Sequence, residues 1–472
     1  MNTEFDVIVI GAGPAGEVLA GRLGENGAKR VAIVERELVG GECSFYACMP
    51  SKALLRPAEL LAEVARVPGA AEATSGKLDV EAVLRRRDGI ISDLDDSGQV
   101  PWLEQRHVEL IRGTARLEGE RRVRVGEQLL TARDAVVIAV GTGALMPPIP
   151  GLAEAGAWSN REITTTKEVP DRLVIIGGGV VGVEMAQAWS SLGSKVTVIE
   201  AESQLIPREE TFAGAELADG LRERGVELEL GTLATKVSRT EEGITVSLGN
   251  GGSVNGDRLL VAIGRVPLTA DIGLETVGLE PGRYIEVDET LRAGDRDWLY
   301  AVGDVNGRSL LTHSGKYQAR LAADHILGAE VAAGHDDAGA PRVIFTDPQV
   351  AAVGHTLAGA RDAGVRHAVA IDVPTSGTAG GSFYGRGAAG TTSFVVDPDR
   401  GVLVGATFVG PEVADMLQAA TIAIVGEVPL STLAHAIAPF PTRSEIWLKF
   451  LEAYEAKHPE AEVHSRRTTA VA

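Results

Sequence analysis

Short apolar runs, each closed by a glycine or an acid, set the rhythm of this chain. Residues 5–10, Phe-Asp-Val-Ile-Val-Ile, read as a strand, and an alanine-rich stretch with helical spacing continues to about Leu23. A second apolar run, 30–34, ends in Glu35. The same pattern returns later: a strand at 173–176, a helical stretch from Val183 to about Leu192, and a strand at 195–199 ending in Glu200. Residues 57–105 read as helices with polar faces, on which Arg85, Arg86 and Arg87 form a solvated charge run. Short strands fill 108–130, and 135–140 is a fully apolar strand. Further apolar strands, at 257–265 and 299–304, end in or near a glycine. From Pro341 the pattern changes to strands at 343–348, 392–396 and 402–409, with helices at 412–425 and 444–456. Alternating strands and helices predict an α/β fold with parallel sheets, followed by a separate α+β unit.

Glycines at the strand ends add chemistry to this pattern. Gly11, Gly13 and Gly16 follow the first strand directly, and Glu35 lies nineteen residues beyond the last of them. In such a unit the first glycine permits a tight turn and the second lets backbone amides approach a pyrophosphate. The third allows close helix–strand packing. Phosphates then sit at a helix N-terminus, where free N–H groups and the helix dipole favour anions, and the acid accepts hydrogen bonds from a ribose. Gly177, Gly179 and Gly182 with Glu200 repeat the arrangement. Two such units in one chain imply two dinucleotides, and hydride transfer between them is the natural reason to hold both. Glu200 predicts NAD over NADP, because its carboxylate repels a 2′-phosphate. Arg208, eight residues further on, softens that preference.

Composition narrows the setting. The chain has 472 residues, enough for about three domains. Hydrophobic content of 44% and charged content of 23% describe an ordinary globular protein. A net charge of −20 argues against nucleic acid or an anionic membrane as partner. No apolar run approaches the roughly 20 residues that span a bilayer. The N-terminus enters a strand without a basic region ahead of it, so a cytoplasmic protein is expected.

The only two cysteines, Cys43 and Cys48, stand in Gly40-Gly41-Glu42-Cys43-Ser44-Phe45-Tyr46-Ala47-Cys48-Met49-Pro50-Ser51-Lys52. A chain of this size folds without a cross-link, and a close pair in a cytosolic protein is more often metal-binding or redox-active than structural. No second pair or nearby histidine completes a metal site. Two buried structural thiols are the plainer alternative. In one continuous helix, residues five apart point about 140° away from each other. A bridge between these two therefore requires a backbone distortion, and a strained disulfide is easier to reduce.

With these motifs the chain resembles the class I pyridine nucleotide–disulfide oxidoreductases, the family of dihydrolipoamide dehydrogenase, glutathione reductase and mercuric reductase. The likeness covers essentially the whole length and extends to Gly264-Arg265, Val302-Gly303-Asp304 and Phe345-Thr346-Asp347-Pro348. It implies an FAD-binding domain from residues 1–150 and 272–340, an NAD(P)-binding domain at 151–271 and a dimerisation domain at 341–472. It implies an FAD site of Gly11, Gly13, Gly16, Glu35, Gly41, Lys52, Ala115, Gly141, Thr142, Arg265, Asp304 and Thr312. The implied NAD(P)H site is Gly177, Gly179, Gly182, Glu200 and Gly264. Cys43 would exchange with substrate and Cys48 would face the flavin, with Lys52 paired to Glu184. A homodimer would share residues across its two active sites, and a small-molecule electron acceptor would complete the reaction.

Two departures from the family pattern stand out. Ser44-Phe45-Tyr46-Ala47 replaces the usual Leu-Asn-Val-Gly between the cysteines. Disulfide reductases of this family also end in His-Pro-x-x-x-Glu, whereas here the stretch is Pro439-Phe440-Pro441-Thr442-Arg443-Ser444-Glu445. Phe440 takes the place of the histidine acid, and Glu445 is kept. A phenyl ring has no ionisable proton to donate, so a quinone-like acceptor is expected. A dihydrolipoamide dehydrogenase or low-molecular-weight disulfide reductase with another acid, His435 for example, is the alternative. A non-catalytic flavin-bound subunit is a third reading, which retention of both cysteines and Lys52 disfavours. The tail, 463–472, has neither the extra cysteines of mercuric reductase nor the pair of large thioredoxin reductases, so mercury and thioredoxin are not expected substrates.

Overall fold

A computed structural model describes residues 3–337, 339–385, 388, 390–459 and 463. The tail beyond residue 463 lies outside them. The first strand, Glu4–Ile10, is the centre of a sheet. It pairs in parallel with Val31–Glu35 on one side (Val7 opposite Val31) and with Gln128–Ile138 on the other (Val7 opposite Ala135). Leu299–Ala301 returns to that sheet beside Val136, Val137 and Ile138. Every residue of Val31–Glu35 is buried, as expected of a strand covered on both faces. One face packs on helix α1 (Pro14–Gly24) through Leu19, Ala20 and Leu23, and on a later helix through Ala319, Ala322 and Ala323.

The chain has by then left this sheet and built a second one. Its four parallel strands run in the order Glu227–Glu229, Lys195–Ile199, Arg172–Ile176, Arg258–Val261. A three-stranded antiparallel meander lies beside them. The last third forms a five-stranded antiparallel sheet, Arg342–Ile344, Gln349–Gly354, Val402–Gly410, Thr391–Asp397, Val369–Pro374. An aromatic cluster of Phe394, Phe408, Trp447 and Phe450 packs beneath it. The mixed α/β architecture matches the expectation from the sequence.

The cysteine segment folds as two helices instead of one. Helix α2 (Gly41–Phe45) ends at Tyr46, and α3 (Cys48–Arg66) begins two residues later. Tyr46 (φ −132°, ψ 0°) and Ala47 (φ −135°, ψ −100°) make the break. A bridge between the two cysteines would need such a break, although both are free thiols here.

Three sequence expectations need correction. Arg87, on helix α4 (Val80–Ile90), is fully buried and not solvated. Its guanidinium bonds the carbonyl oxygens of Thr164 and Thr166 and the Asp88 carboxylate, which offsets the cost of burying the charge. Residues 343–348 are not one strand. Pairing stops at Ile344 because the Phe345 and Asp347 amides donate to Glu184 (3.0 Å) and Gln187 (2.7 Å) instead of to a neighbouring strand. The helix expected over 412–425 starts only at Leu417, after Glu412 takes a left-handed conformation (φ +50°).

Candidate active site

The two glycine loops have the shape of phosphate cradles. Gly11 and Gly177 have φ of +103° and +110°, a region that L side chains rarely adopt. A Cβ on Gly16 would lie 2.0 Å from the Gly11 carbonyl oxygen, and one on Gly182 would lie 1.9 Å from that of Gly177. The middle glycines, Gly13 and Gly179, face open space, which is where a pyrophosphate fits. Glu35 Oε2 accepts from the Ala12 amide at 2.7 Å, and Glu200 Oε2 from the Gly178 amide at 2.5 Å. Each acid thus pins its own loop while standing at the strand end where a ribose would lie. Exposed Arg208 falls within electrostatic reach of Tyr284.

Around the first cradle the expected residues converge. Thr142 Oγ1 donates to Asp304 Oδ2 at 2.8 Å, and Arg265 Nε donates to Thr142 Oγ1 at 2.6 Å. Burial pushes the Asp304 carboxyl up. Gly41 (φ +58°) abuts the loop so closely that its Cβ would stand 2.9 Å from Gly13 Cα. Gly141 (φ +69°) turns the chain just ahead of Thr142, while Gly264 (φ +144°) does so ahead of Arg265. Ala115 is buried at the start of a neighbouring strand.

The cysteine pair sits between this cradle and the second unit. Cys43 lies on α2 and Cys48 on the first turn of α3, both partly buried. Cys48 Sγ is 3.5 Å from Thr312 Oγ1, at the start of the helix Thr312–Ile326. Hydrogen bonds from Cys43 and Thr312 and the Lys52 charge outweigh burial and pull the Cys48 thiol down to about 6. Cys43, bonded to Cys48 and buried, is held well above the usual thiol range. The pair is therefore poised with its negative charge on Cys48.

One turn along α3, Lys52 Nζ bonds Glu184 at 2.7 and 2.9 Å and stands 4.8 Å from the centre of the Phe345 ring. Glu184 belongs to helix α5 (Val180–Ser191) of the second unit and is buried at 3% exposure. Through Lys52, Glu184 and Phe345, all three parts of the chain meet beside the cysteines.

The 439–445 stretch borders the same region, since Pro441, Thr442, Arg443 and Ser444 line one cavity with Met49, Lys52 and Phe345. Phe440 is 77% exposed, and Ile437 nearby is 94% exposed. Glu445 Oε2 is buried without a hydrogen-bond partner among the described residues. His435 is exposed on the turn after the short helix Leu430–Leu433.

Sequence reasoning missed Glu42 and Asn160. Glu42 accepts from Arg161 at 2.5 Å and from Asn160 at 2.6 Å, and Asn160 also donates to the Tyr46 carbonyl at 3.0 Å. These bonds tie the helix break to the second unit. Glu42 was visible between Gly41 and Cys43, but its partner more than a hundred residues away was not.

Comparison with known proteins now places the chain. The model of the pyridine nucleotide-disulphide oxidoreductases matches residues 5–322, and that of their dimerisation domain matches 340–450. The chain belongs to this family. It is 31% identical to a dihydrolipoyl dehydrogenase of Haloferax volcanii over 95% of this chain and 96% of the relative. It is 30% identical to a mercuric reductase of Staphylococcus aureus, covering 94% of this chain and 81% of the relative. Among solved structures it is similar to RclA of Escherichia coli, described as an HOCl-induced flavoprotein disulfide reductase in complex with Cu(II). That likeness has a TM-score of 0.84 at 26% identity, over 96% of this chain and 99% of that one. LpdA of Mycobacterium tuberculosis gives a TM-score of 0.82 at 25% identity, over 96% and 99%. The family is FAD- and NAD(P)H-dependent, and the dimerisation domain suggests a homodimer. No helix among the described residues is long and apolar enough to cross a membrane.

Proposed function

We propose that this oxidoreductase passes electrons from NADH, by way of FAD and the Cys43–Cys48 pair, to a quinone-like acceptor in preference to a dithiol/disulfide couple. FAD would lie along the first cradle with Thr142, Arg265 and Asp304, and the nicotinamide dinucleotide along the second. Bound there, FAD supplies the two-electron chemistry that links the nicotinamide to the cysteines. Lys52, held by Glu184, places a fixed positive charge beside Cys48 and stabilises its thiolate. The cytosol, which keeps thiols reduced, is the setting in which we place this chemistry.

The observation that carries the acceptor reading is the pairing of an exposed Phe440 with an orphaned Glu445 carboxylate. The resemblance to the family's disulfide reductases implies a histidine at this position, oriented by the glutamate. General acid catalysis contributes roughly 10²–10⁴-fold in rate, and the departing thiolate has no such donor at this position. The homodimer would bring the 439–445 stretch of one protomer to the cysteines of its partner. The extent and level of similarity to dihydrolipoyl dehydrogenases favour lipoamide as a second reading. The RclA likeness puts Cu(II) in the same acceptor panel. Glu200 supports NADH over NADPH by charge repulsion.

Anaerobic titration of the purified flavoprotein with NADH, followed by oxidation with benzoquinone, lipoamide, glutathione disulfide or Cu(II), tests the reading. Fast reoxidation by quinone alone supports it. Fast reoxidation by lipoamide overturns it.

A further inference from the structure

Beside the first cradle a buried side-chain amide is held between a backbone donor and a carboxylate. The helix Thr312–Ile326, α6 here, packs on the turn after strand Leu299–Ala301, where a Cβ on Gly315 would stand 3.2 Å from Gly303 Cα. On the same helix Gln318 is fully buried. Its Oε1 accepts from the Gly303 amide at 2.8 Å and from Asn306 Nδ2 at 2.9 Å, and its Nε2 donates to Asp336 Oδ2 at 2.8 Å. Asp336 is buried at 1% exposure and forms an ion pair with Arg308 Nη2 at 2.8 Å. The Arg308 amide donates to Asn306 Oδ1 at 3.1 Å, which closes a ring of four residues. That ring braces the turn Asp304–Asn306, whose first side chain accepts from Thr142. Asp336 itself stands in the connector between the two segments that the family models match, residues 5–322 and 340–450.

We propose that Gln318, locked by Asp336, is a positioning residue for Asp304 and through it for FAD. This rests on the reading that FAD lies along the first cradle with Asp304. Gly303 has φ +80° and ψ −159°, a backbone state that only glycine adopts readily. Such a residue does not by itself fix the direction in which the chain leaves it. The bond from its amide to Gln318 supplies that constraint. Gln318 has no freedom to flip, because a backbone N–H only donates and a carboxylate only accepts. A flipped amide would set N–H against N–H at Gly303 and oxygen against oxygen at Asp336. Either mismatch leaves a buried polar group unpaired, which is costly, and more so for a charge. Arg308 balances the Asp336 charge from the other side. The connector to the dimerisation domain thereby takes part in shaping the flavin site.

The test follows FAD release from diluted holoenzyme by the rise of free-flavin fluorescence, which gives a dissociation constant. Gln318→Glu should raise that constant at least tenfold at pH 8, because two carboxylates then face each other. The loss should shrink at pH 5.5, where a proton shared between them restores a donor. The double variant Gln318→Glu/Asp336→Asn exchanges donor and acceptor, and it should return the constant to within threefold of wild type at pH 8. Asp336→Asn alone leaves one amide to serve both Gln318 and Arg308 and should raise the constant at least threefold. A constant unchanged in Gln318→Glu overturns the proposal, and so does a double variant that binds no better than Gln318→Glu. If Gln318→Glu does not fold, an unchanged constant in Asp336→Asn overturns it instead. Wild type that carries no FAD would overturn the reading of the first cradle as well, whereas FAD held alike by every form overturns the proposal alone.

Discussion

The two dinucleotide units show one device built twice and used differently. Each loop opens with a glycine amide bonded to the end of the adjacent strand, Gly11 to Val34 and Gly177 to Ile199, both at 2.8 Å. Each closing acid splits its oxygens between the loop and the chain two residues on, Glu35 to Glu37 at 2.7 Å and Glu200 to Glu202 at 2.8 Å. The units differ in what surrounds the cradle. The first carries the cysteine helices against Gly13 and a carboxylate at position 17. The second carries apolar Val183 and then Glu184, which reaches out to Lys52. Backbone geometry shapes both loops alike, and what differs is the side chains and helices packed against them.

Filling the cradles should break the comparison most sharply. Gly16→Ala puts a methyl 2.0 Å from a carbonyl oxygen, and the purified protein should come without flavin colour. Gly182→Ala should keep the flavin and raise KM for NADH tenfold or more, about 1.4 kcal/mol. If both variants lose flavin, or neither does, the two cradles do not have separate occupants.

The redox half rests on Cys48. Two-electron reduction should give a long-wavelength absorption band whose donor is the Cys48 thiolate. The band should fade as pH falls through about 6, where that thiolate takes a proton. Cys48→Ser should abolish it and Cys43→Ser should keep it. A band that survives in Cys48→Ser would reverse the roles of the two cysteines.

Phe440→His should raise kcat/KM for lipoamide about tenfold to a hundredfold, part of what a full acid–base catalyst contributes. Glu445→Gln in the same background should cancel the gain. The gain is partial because Ser44, Phe45 and Tyr46 also shape the substrate face. No gain at all would mean that Phe440 does not occupy the donor position.

Glu200→Gln should have the smallest effect, narrowing the preference for NADH by about tenfold or less. It removes the charge yet keeps an acceptor oxygen for the Gly178 amide. A wild type that already prefers NADPH would contradict the reading of this strand end.

Local periodicity and glycine spacing exposed the α/β frame, both loops with their acids, and the cysteine pair, because each is written within some twenty-five residues. Longer-range features were hidden. Arg87 looks like one of three exposed arginines until Thr164 and Thr166 are brought to it. The strand break at Phe345 depends on Glu184 and Gln187, more than 150 residues earlier. A helix break was foreseeable only on the assumption of a Cys43–Cys48 bridge, and the Tyr46 carbonyl at the observed break accepts from Asn160, which the sequence did not point to.

The central claim is that Phe440 turns this enzyme away from disulfides. It is tested most directly by kcat/KM of the wild-type holoenzyme for lipoamide set against that for a benzoquinone, at saturating NADH. The account predicts a quinone value at least a hundredfold above that for lipoamide. A lipoamide value in the ordinary enzyme range of roughly 10⁴–10⁸ M⁻¹s⁻¹, matching or exceeding the quinone, would contradict it.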